Sequence, residues 1–200
     1  MRSTYQDNEA RTPKQKLDNK LWTTRKSRIN ASERLQKAAS FIDFTNVYYS
    51  IFLIILSLLS ISPFCNDNGL TSYVGLAGSI SLTISIIYAT SLKYRERSAA
   101  LKQNYIALQK LLDRLNLLND ENSEEIRTIQ SEYTDLLSSV ENHTHIDYLN
   151  LLRTGKVYNE SMTFGNWCYL ISYYLWNYLW KTVLIAAPIG YIVYIIVLHI

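Results

Sequence analysis

Three long stretches without a charged residue dominate this sequence and limit the folds open to it. They cover residues 47–64, 70–92 and 182–200. A helix of about 20 apolar residues, with a usual range of about 17–25, crosses a hydrocarbon core of about 30 Å. All three stretches have that length. The sequence therefore predicts an all-α membrane protein with a two-transmembrane hairpin, TM1 at 47–64 and TM2 at 70–92, and a third membrane helix at the C-terminus.

The remaining composition excludes several other classes of protein. Charged residues make up 18% of the chain and lie outside the apolar stretches, which argues against a soluble globular domain. So much apolar sequence also argues against a disordered chain. Two cysteines are too few for a disulfide-rich scaffold or a four-thiolate zinc site.

The distribution of basic residues predicts the orientation of the spans. Residues 1–46 carry ten Lys/Arg, residues 93–166 carry nine, and the turn between TM1 and TM2 carries none. Basic residues flanking membrane spans favour the cytoplasmic side. We therefore expect a multi-pass protein of the bacterial inner membrane, anchored by an uncleaved first span, with its N-terminus and residues 93–166 in the cytosol.

Residues 93–155 have the pattern of two helices that pack against each other. Apolar residues recur at alternating spacings of three and four in two runs, with a polar turn at residues 119–123 between them. The runs are Leu101, Tyr105, Leu108, Leu112 and Leu115, and then Ile126, Ile129, Tyr133, Leu136 and Val140. The sequence predicts a cytosolic antiparallel helical hairpin that forms a stalk, its first helix continuous with TM2.

The two ends of the chain have their own character. Residues 1–16 are expected to be a disordered tail, and 17–46 a basic amphipathic helix. That helix is suited to three roles: lying on an anionic membrane surface, packing on the stalk, or binding nucleic acid, for which it has no groove-reading motif. Residues 156–200 are expected to form an aromatic interfacial segment followed by the C-terminal membrane helix. Lys181, between these parts, is expected to snorkel or to mark a helix break.

Small residues form two parallel stripes along TM2 at a spacing of four. One is Ala77, Ser81, Ser85 and Ala89, and the other is Thr71, Gly75, Ser79 and Thr83. Such residues let helix backbones approach closely in lipid, and they suit packing within the chain and homo-oligomer formation equally well. The candidate packing or pore residues are Gly75, Gly78, Ser79, Ser81, Ser85 and Ala89.

A polar patch follows the second stalk helix and has two interpretations. It is either a hydrogen-bonded brace that ends the helix or a contact that senses or gates. Its residues, with three stalk tyrosines, form the candidate signalling or brace set: Tyr94, Tyr105, Tyr133, Glu141, Asn142, His143, Asp147 and Tyr148. No phosphate-binding loop, nucleophile elbow or ligand set stands out, so we expect no enzyme activity, cofactor or metal.

The order of these parts resembles the SLATT proteins, bacterial two-span effector modules found beside immune sensors. The resemblance covers roughly residues 25–155, within a SLATT-like domain at 17–155. It rests on Arg34-Leu35, the charge-free span pair, Tyr94-Arg95, Asn104-Tyr105 with Leu108, Leu111 and Leu112, Tyr133 with Leu136-Leu137, Glu141-Asn142-His143, and Asp147-Tyr148. The third apolar segment resembles the subgroup with an added C-terminal helix, which tends to neighbour reverse transcriptases.

The resemblance implies a membrane effector of an anti-phage defence system. Such an effector would oligomerise and form a pore or disrupt the inner membrane when a cytosolic sensor is triggered. The sensor would be a reverse transcriptase, or alternatively a nucleotidyltransferase or a SLOG protein. The alternative is a non-lytic membrane scaffold that docks a cytosolic partner through its stalk.

Overall fold

A computed structural model describes residues 12–61, 69–154 and 160–199 of the chain. Every regular element in these ranges is an α-helix, so the all-α fold class is confirmed. The six helices are α1 (Pro13–Ile61), α2 (Leu70–Ser91), α3 (Tyr94–Leu117), α4 (Ser123–Ser138), α5 (His145–Leu152) and α6 (Phe164–His199). Three of them, α1, α2 and α6, include segments long and apolar enough to cross a membrane.

Helix α1 is a single helix of 49 residues, although the sequence predicts a basic helix and a span that meet at residue 46. Pro13 at its first position suits a helix start, and no glycine or further proline follows within it. The change from charged to apolar composition alters what surrounds the helix without interrupting its backbone hydrogen bonds. The predicted disordered tail 1–16 is corrected at its end, since α1 already begins at Pro13. Residues 1–11 lie outside the described residues.

The chain divides into two compact units, and α1 and α6 each contribute to both. The polar unit contains the described residues up to Gln36 and those of Arg95–Leu170. The span unit contains those of Lys37–Tyr94 and Ile171–Ile200.

The core of the polar unit forms where α1 packs against the hairpin of α3 and α4. Its buried members are Leu17, Leu21, Leu108, Leu111, Leu112, Leu115, Ile126 and Ile129. Of the three roles considered for the basic helix, this arrangement corresponds to packing on the stalk. A second cluster joins α5 to the start of α6 through Leu149, Leu151, Leu152 and Leu170.

In the span unit α1 and α2 form an antiparallel pair. A Cβ placed on Gly78 would lie 2.8 Å from Leu53 Cδ2, and one on Gly75 would lie 3.7 Å from Leu56 Cδ2. The absence of a side chain at Gly78 therefore allows α1 to approach α2 closely. Helix α6 joins the pair through an edge-to-face contact between Phe52 and Tyr191, whose ring centroids are 6.3 Å apart.

One expectation about helix continuity is wrong. Helices α2 and α3 are separate, because Lys93 adopts a left-handed φ of 50°, which ends α2. This conformation is unfavourable for a residue with a side chain. Helix α6 in contrast passes through Lys181 without a break, which excludes one of the two alternatives for that residue, and it also contains Pro188.

Candidate functional site

The most unusual group of the polar unit is the guanidinium of Arg28, which is completely buried. Its Nη1 donates to the carbonyl of Leu136 at 3.0 Å and its Nη2 to the carbonyl of Leu137 at 3.2 Å. These are among the last carbonyls of α4, which lack partners within the helix. A cation at this end also interacts favourably with the helix dipole. Arg28, on α1, thus caps the C-terminus of α4.

The acceptors that bind the Arg28 guanidinium are neutral amide and carbonyl oxygens. Among the described residues no carboxylate lies within ion-pairing distance of it, and its Nε has no hydrogen-bond partner. Burial lowers the pKa of Arg28 from its ordinary value, and Tyr133 opposes this effect. A buried cation in this position depends on its acceptors remaining in place.

Asn104 on α3 completes this cap. Its Oδ1 accepts a hydrogen bond from Arg28 Nη1, and its Nδ2 donates to the carbonyl of Leu136 at 2.8 Å and to Ser139 Oγ at 3.0 Å. One amide therefore connects α3, the arginine of α1 and the end of α4. We call Arg28, Asn104 and the terminal carbonyls of α4 the arginine cap.

Asp147 organises a second polar junction, between α1 and α5. Its carboxylate is 1% exposed and receives Arg34 Nε at 2.9 Å and Arg34 Nη2 at 3.0 Å. It also accepts the backbone N–H of Thr144 at 2.9 Å and the hydroxyl of Thr144 at 2.7 Å, as part of a capping box. Asn30 Nδ2 donates to the backbone carbonyl of Asp147 at 2.9 Å. The junction is thus held by α1 side chains and the local cap together.

His143 lies between the arginine cap and the Asp147 junction. Burial lowers the pKa of His143, Asp147 raises it, and Arg28 lowers it further. Its Nδ1 is buried without a hydrogen-bond partner among the described residues. The neutral imidazole is therefore the form that this environment favours.

The remaining predicted polar residues lie around this region. Tyr133 shares a 2.9 Å hydrogen bond with Thr24, and Glu141 forms an exposed ion pair with Arg97 at 2.7 Å. Two further contacts are local: Asn142 accepts the N–H of its neighbour His143 at 3.0 Å, and Tyr148 donates to Glu160. Burial and Glu160 both raise the pKa of Tyr148.

Two predicted tyrosines do not join this group. Tyr94 belongs to the span unit, where it lines a pocket. Tyr105 is half-buried, and the position beside it, Asn104, is the buried one on α3. The other four residues of the predicted seam are buried, so the prediction for α3 differs from the structure at this one position.

Arg28 and the pair Ser32 and Ser98 were not predicted, and Asn104 entered only through the family resemblance, without a role. The hydroxyls of Ser32 and Ser98 each donate to the other's backbone carbonyl, at 3.0 and 2.9 Å. One signal for Asn104 was present, since it stands three residues after Leu101 and four before Leu108, in the spacing of a helical seam. A polar residue in such a seam indicates a specific partner. Arg28 likewise stands seven residues after Leu21 and seven before Leu35, in the spacing of a helical seam on α1.

The span unit contains a pocket of ≈ 520 Å³ lined by residues of α1, α2 and α6, with Leu92 and Tyr94 at the α2–α3 junction. Gly78, Ser81, Ser85 and Ala89 of the predicted small-residue set line it. Ser79 lies on the exposed side of α2, and Gly75 faces Leu56. The predicted set therefore divides between a pocket wall, a helix contact and an outward face.

A proline on α6 faces tyrosines on α1. Pro188 has no backbone N–H, so the carbonyl of Leu184, four residues earlier, loses its helical partner. Tyr49 donates its hydroxyl to that carbonyl at 2.9 Å, and Tyr48 donates to the next one, of Ile185, at 2.7 Å. Neighbouring helices commonly satisfy backbone groups freed by proline in membranes. The tyrosine pair thus holds α6 against α1.

These arrangements brace helices against one another. Within the described residues, no group of three or more His, Cys, Asp or Glu side chains is placed to hold a metal ion. A sequence model of the SMODS and SLOG-associating 2TM effector domain family 5 matches residues 10–196. No curated protein and no solved structure matches the chain significantly.

Proposed function

Because the chain belongs to the SMODS and SLOG-associating 2TM effector domain family 5, we propose that it oligomerises and permeabilises the bacterial inner membrane when a cytosolic partner is triggered. The family implies a membrane effector in defence systems, and it is not a known catalytic fold. Membrane permeabilisation, its trigger and the assembly of several copies of the chain go beyond the family and are our proposals.

The observation that carries this proposal is the outward apolar surface of the span unit. On α1, Ile54 is 61% exposed and Leu58 is 66% exposed, and on α2 Ile87 is 67% exposed. A surface of this extent in water would drive aggregation, whereas in a bilayer it meets lipid or another helix. With the basic residues flanking the spans, it supports an inner-membrane location with a cytosolic N-terminus.

The polar unit is the proposed receiver of the signal. The arginine cap and the Asp147 junction connect α1 with α3, α4 and α5, and α1 continues into the span unit. A partner that displaces α4 or α5 would break bonds made by α1 side chains. This gives the predicted signalling residues a route to the membrane through α1.

The family description favours a SMODS or SLOG protein as that partner. A reverse transcriptase, suggested by the added C-terminal helix, is the alternative. Direct nucleic-acid binding has weaker support, because the basic helix of the polar unit buries Leu17 and Leu21 against the hairpin.

Homo-oligomer assembly is proposed to use the exposed face of α2. Ser79 and Thr83 lie one turn apart on that face, and their hydroxyls donate to the α2 carbonyls of Leu76 and Ser79 at 2.8 and 2.9 Å. With the hydroxyls satisfied, these residues present a low and largely apolar surface to a second helix.

The test is membrane potential and dye entry in bacteria that express the chain with its genomic neighbour and are challenged with phage. We expect rapid depolarisation with the unsubstituted chain. The double variant Ser79→Leu with Thr83→Leu should remove it while leaving membrane insertion intact. The matched control is Ile80→Leu with Ile84→Leu, which alters neighbouring exposed positions without adding bulk.

Full depolarisation by the Ser79/Thr83 variant would contradict assembly through this face. Intact membranes in challenged cells that hold both inserted chain and partner would contradict permeabilisation altogether. That second outcome would favour the scaffold that docks a partner without lysis, which should also tolerate scrambled spans of equal hydropathy.

A further inference from the structure

We propose that the pocket of the span unit binds one acyl chain of an anionic phospholipid, whose headgroup is held by Lys181 and Lys37. The proposal concerns the lipid that the resting protein carries. It requires a membrane location and is independent of whether the chain permeabilises membranes.

The walls of the pocket suit a hydrocarbon chain. The lining is mostly apolar. Three of its hydroxyl groups are already used, since Thr45 donates to the carbonyl of Phe41 at 2.7 Å, Ser85 to that of Ser81 at 2.8 Å, and Tyr49 to that of Leu184 at 2.9 Å. Water in such a space would find few partners. Hydrocarbon from the surrounding bilayer would meet Phe52, Leu53, Val74 and Leu82, which also line the pocket.

The dimensions of the pocket also fit a lipid chain. The lining residues on α1 run from Phe41 to Leu53. At about 1.5 Å per residue this is about 18 Å of helix. One leaflet contributes about half of a hydrocarbon core of about 30 Å. A volume of ≈ 520 Å³ lies within the usual range of ligand pockets, about 300–1,000 Å³.

A positive charge marks one end of this pocket. The ammonium of Lys181 lies 4.6 Å from the ring centroid of Phe41 and 5.9 Å from that of Trp180, and both rings line the pocket. No carboxylate among the described residues pairs with Lys181. Lys37 is exposed and stands four residues before Phe41, which places both on one side of α1.

A cation close to hydrocarbon requires a counter-charge or access to water. The aromatic rings supply part of the stabilisation. A phosphate at the Phe41 end of the pocket would supply the rest while its acyl chain fills the space below. This complementarity favours a lipid with a net negative headgroup over a zwitterionic one.

Fluorescence quenching tests the proposal in the full chain reconstituted in vesicles. Replacing Trp22, Trp167 and Trp176 by Phe leaves Trp180, at the pocket, as the sole tryptophan. Phosphatidylglycerol with brominated acyl chains should quench Trp180 at lower mole fraction than brominated phosphatidylcholine. Equal quenching by the two lipids would overturn the headgroup assignment.

Matched variants locate the site. Lys181→Gln should weaken the preference for phosphatidylglycerol about fivefold, the factor expected for loss of one basic residue near an anionic surface. Lys110→Gln, in the polar unit, should leave it unchanged. Ala89→Phe fills the pocket and should abolish the preference, whereas Ala77→Phe, on the exposed side of α2, should not.

An unchanged preference in Lys181→Gln or in folded Ala89→Phe would contradict the proposed site. Loss of quenching by both lipids, together with cross-linking of two chains through this pocket, would show that a second copy occupies it instead. Circular dichroism reports folding of each variant. The comparison of the two lipids in the unsubstituted pocket decides the matter even where Ala89→Phe does not fold.

Discussion

The contact between Tyr49 and Leu184 predicts that the loss of stability in Tyr49→Phe depends on Pro188, 139 positions away in the sequence. A double-mutant cycle tests this dependence. Tyr49→Phe removes the hydroxyl that donates to the Leu184 carbonyl at 2.9 Å. That carbonyl has no alternative donor at position 188, because Pro188 has no N–H. Pro188→Ala restores that N–H and with it the helical bond.

The magnitude follows from the cost of an unsatisfied backbone group. In hydrocarbon this cost is several kcal/mol in principle. Measured interhelical hydrogen bonds in membranes average about 0.6 kcal/mol and reach about 1.7 kcal/mol. We expect Tyr49→Phe to lower the free energy of unfolding by about 1–1.5 kcal/mol in the presence of Pro188, because no other helical donor replaces the hydroxyl. In the Pro188→Ala background the loss should fall to about 0.5 kcal/mol or less.

The assay is reversible unfolding of the detergent-solubilised full chain by added dodecyl sulfate, followed by circular dichroism. Tyr73→Phe on α2 is the control, since Tyr73 is 71% exposed. It should have little effect in either background. An equal loss from Tyr49→Phe in both backgrounds would show that the hydroxyl does not compensate for the proline, and the reasoning would be refuted.

Three further predictions concern the polar unit. Arg28→Met should lower the free energy of unfolding, measured by denaturant titration, by about 2–3 kcal/mol, because buried acceptors lose their donor. Arg28→Lys should recover part of this loss. An unchanged stability in Arg28→Met would contradict the role of the arginine cap. His143→Gln should flatten the pH dependence of the melting temperature: the folded pKa of His143 is lowered, so its stabilising contribution is present above about pH 6.5 and is lost as the pH falls. A wild-type melting temperature that rises on acidification from pH 7 to 5, with His143→Gln unchanged, would reverse this sign. Arg34→Gln should lower the free energy of unfolding by about 3 kcal/mol, because it leaves the buried carboxylate of Asp147 without its cation. Arg97→Gln should lower it by at most about 1 kcal/mol, because the pair with Glu141 is exposed. Equal losses in the two variants would contradict this ranking.

The features that the sequence predicted correctly are those that depend on composition and local spacing. Charge-free segments of sufficient length specify membrane helices wherever they pack, because the length of a span is set by the bilayer. Turn-forming residues between two apolar periodicities likewise specify the α3–α4 hairpin. No long-range information is needed for either.

The wrong predictions concern helix boundaries and one position of a helix face. A boundary depends on the backbone conformation of a single residue, and a change in composition need not interrupt a helix. The change of character at residue 46 predicted a boundary that α1 does not have, because helix propensity is uninterrupted there. Lys93 ends α2 although no glycine or proline marks the position. At one position of the α3 face Asn104 is buried in place of Tyr105, because Leu101, Leu108 and Leu115 are compatible with either residue on the buried side.

The sequence by itself determined that this chain is helical, has three apolar spans and pairs α3 with α4. Only the tertiary structure decided which carbonyls the Arg28 guanidinium binds, that Asp147 pairs with Arg34, and that Tyr49 meets the carbonyl freed by Pro188. The physical reason is that the spans and the hairpin follow from residues close in sequence. A buried charge or an orphaned carbonyl instead depends on partners more than a hundred positions away, which only the folded chain brings into hydrogen-bonding distance.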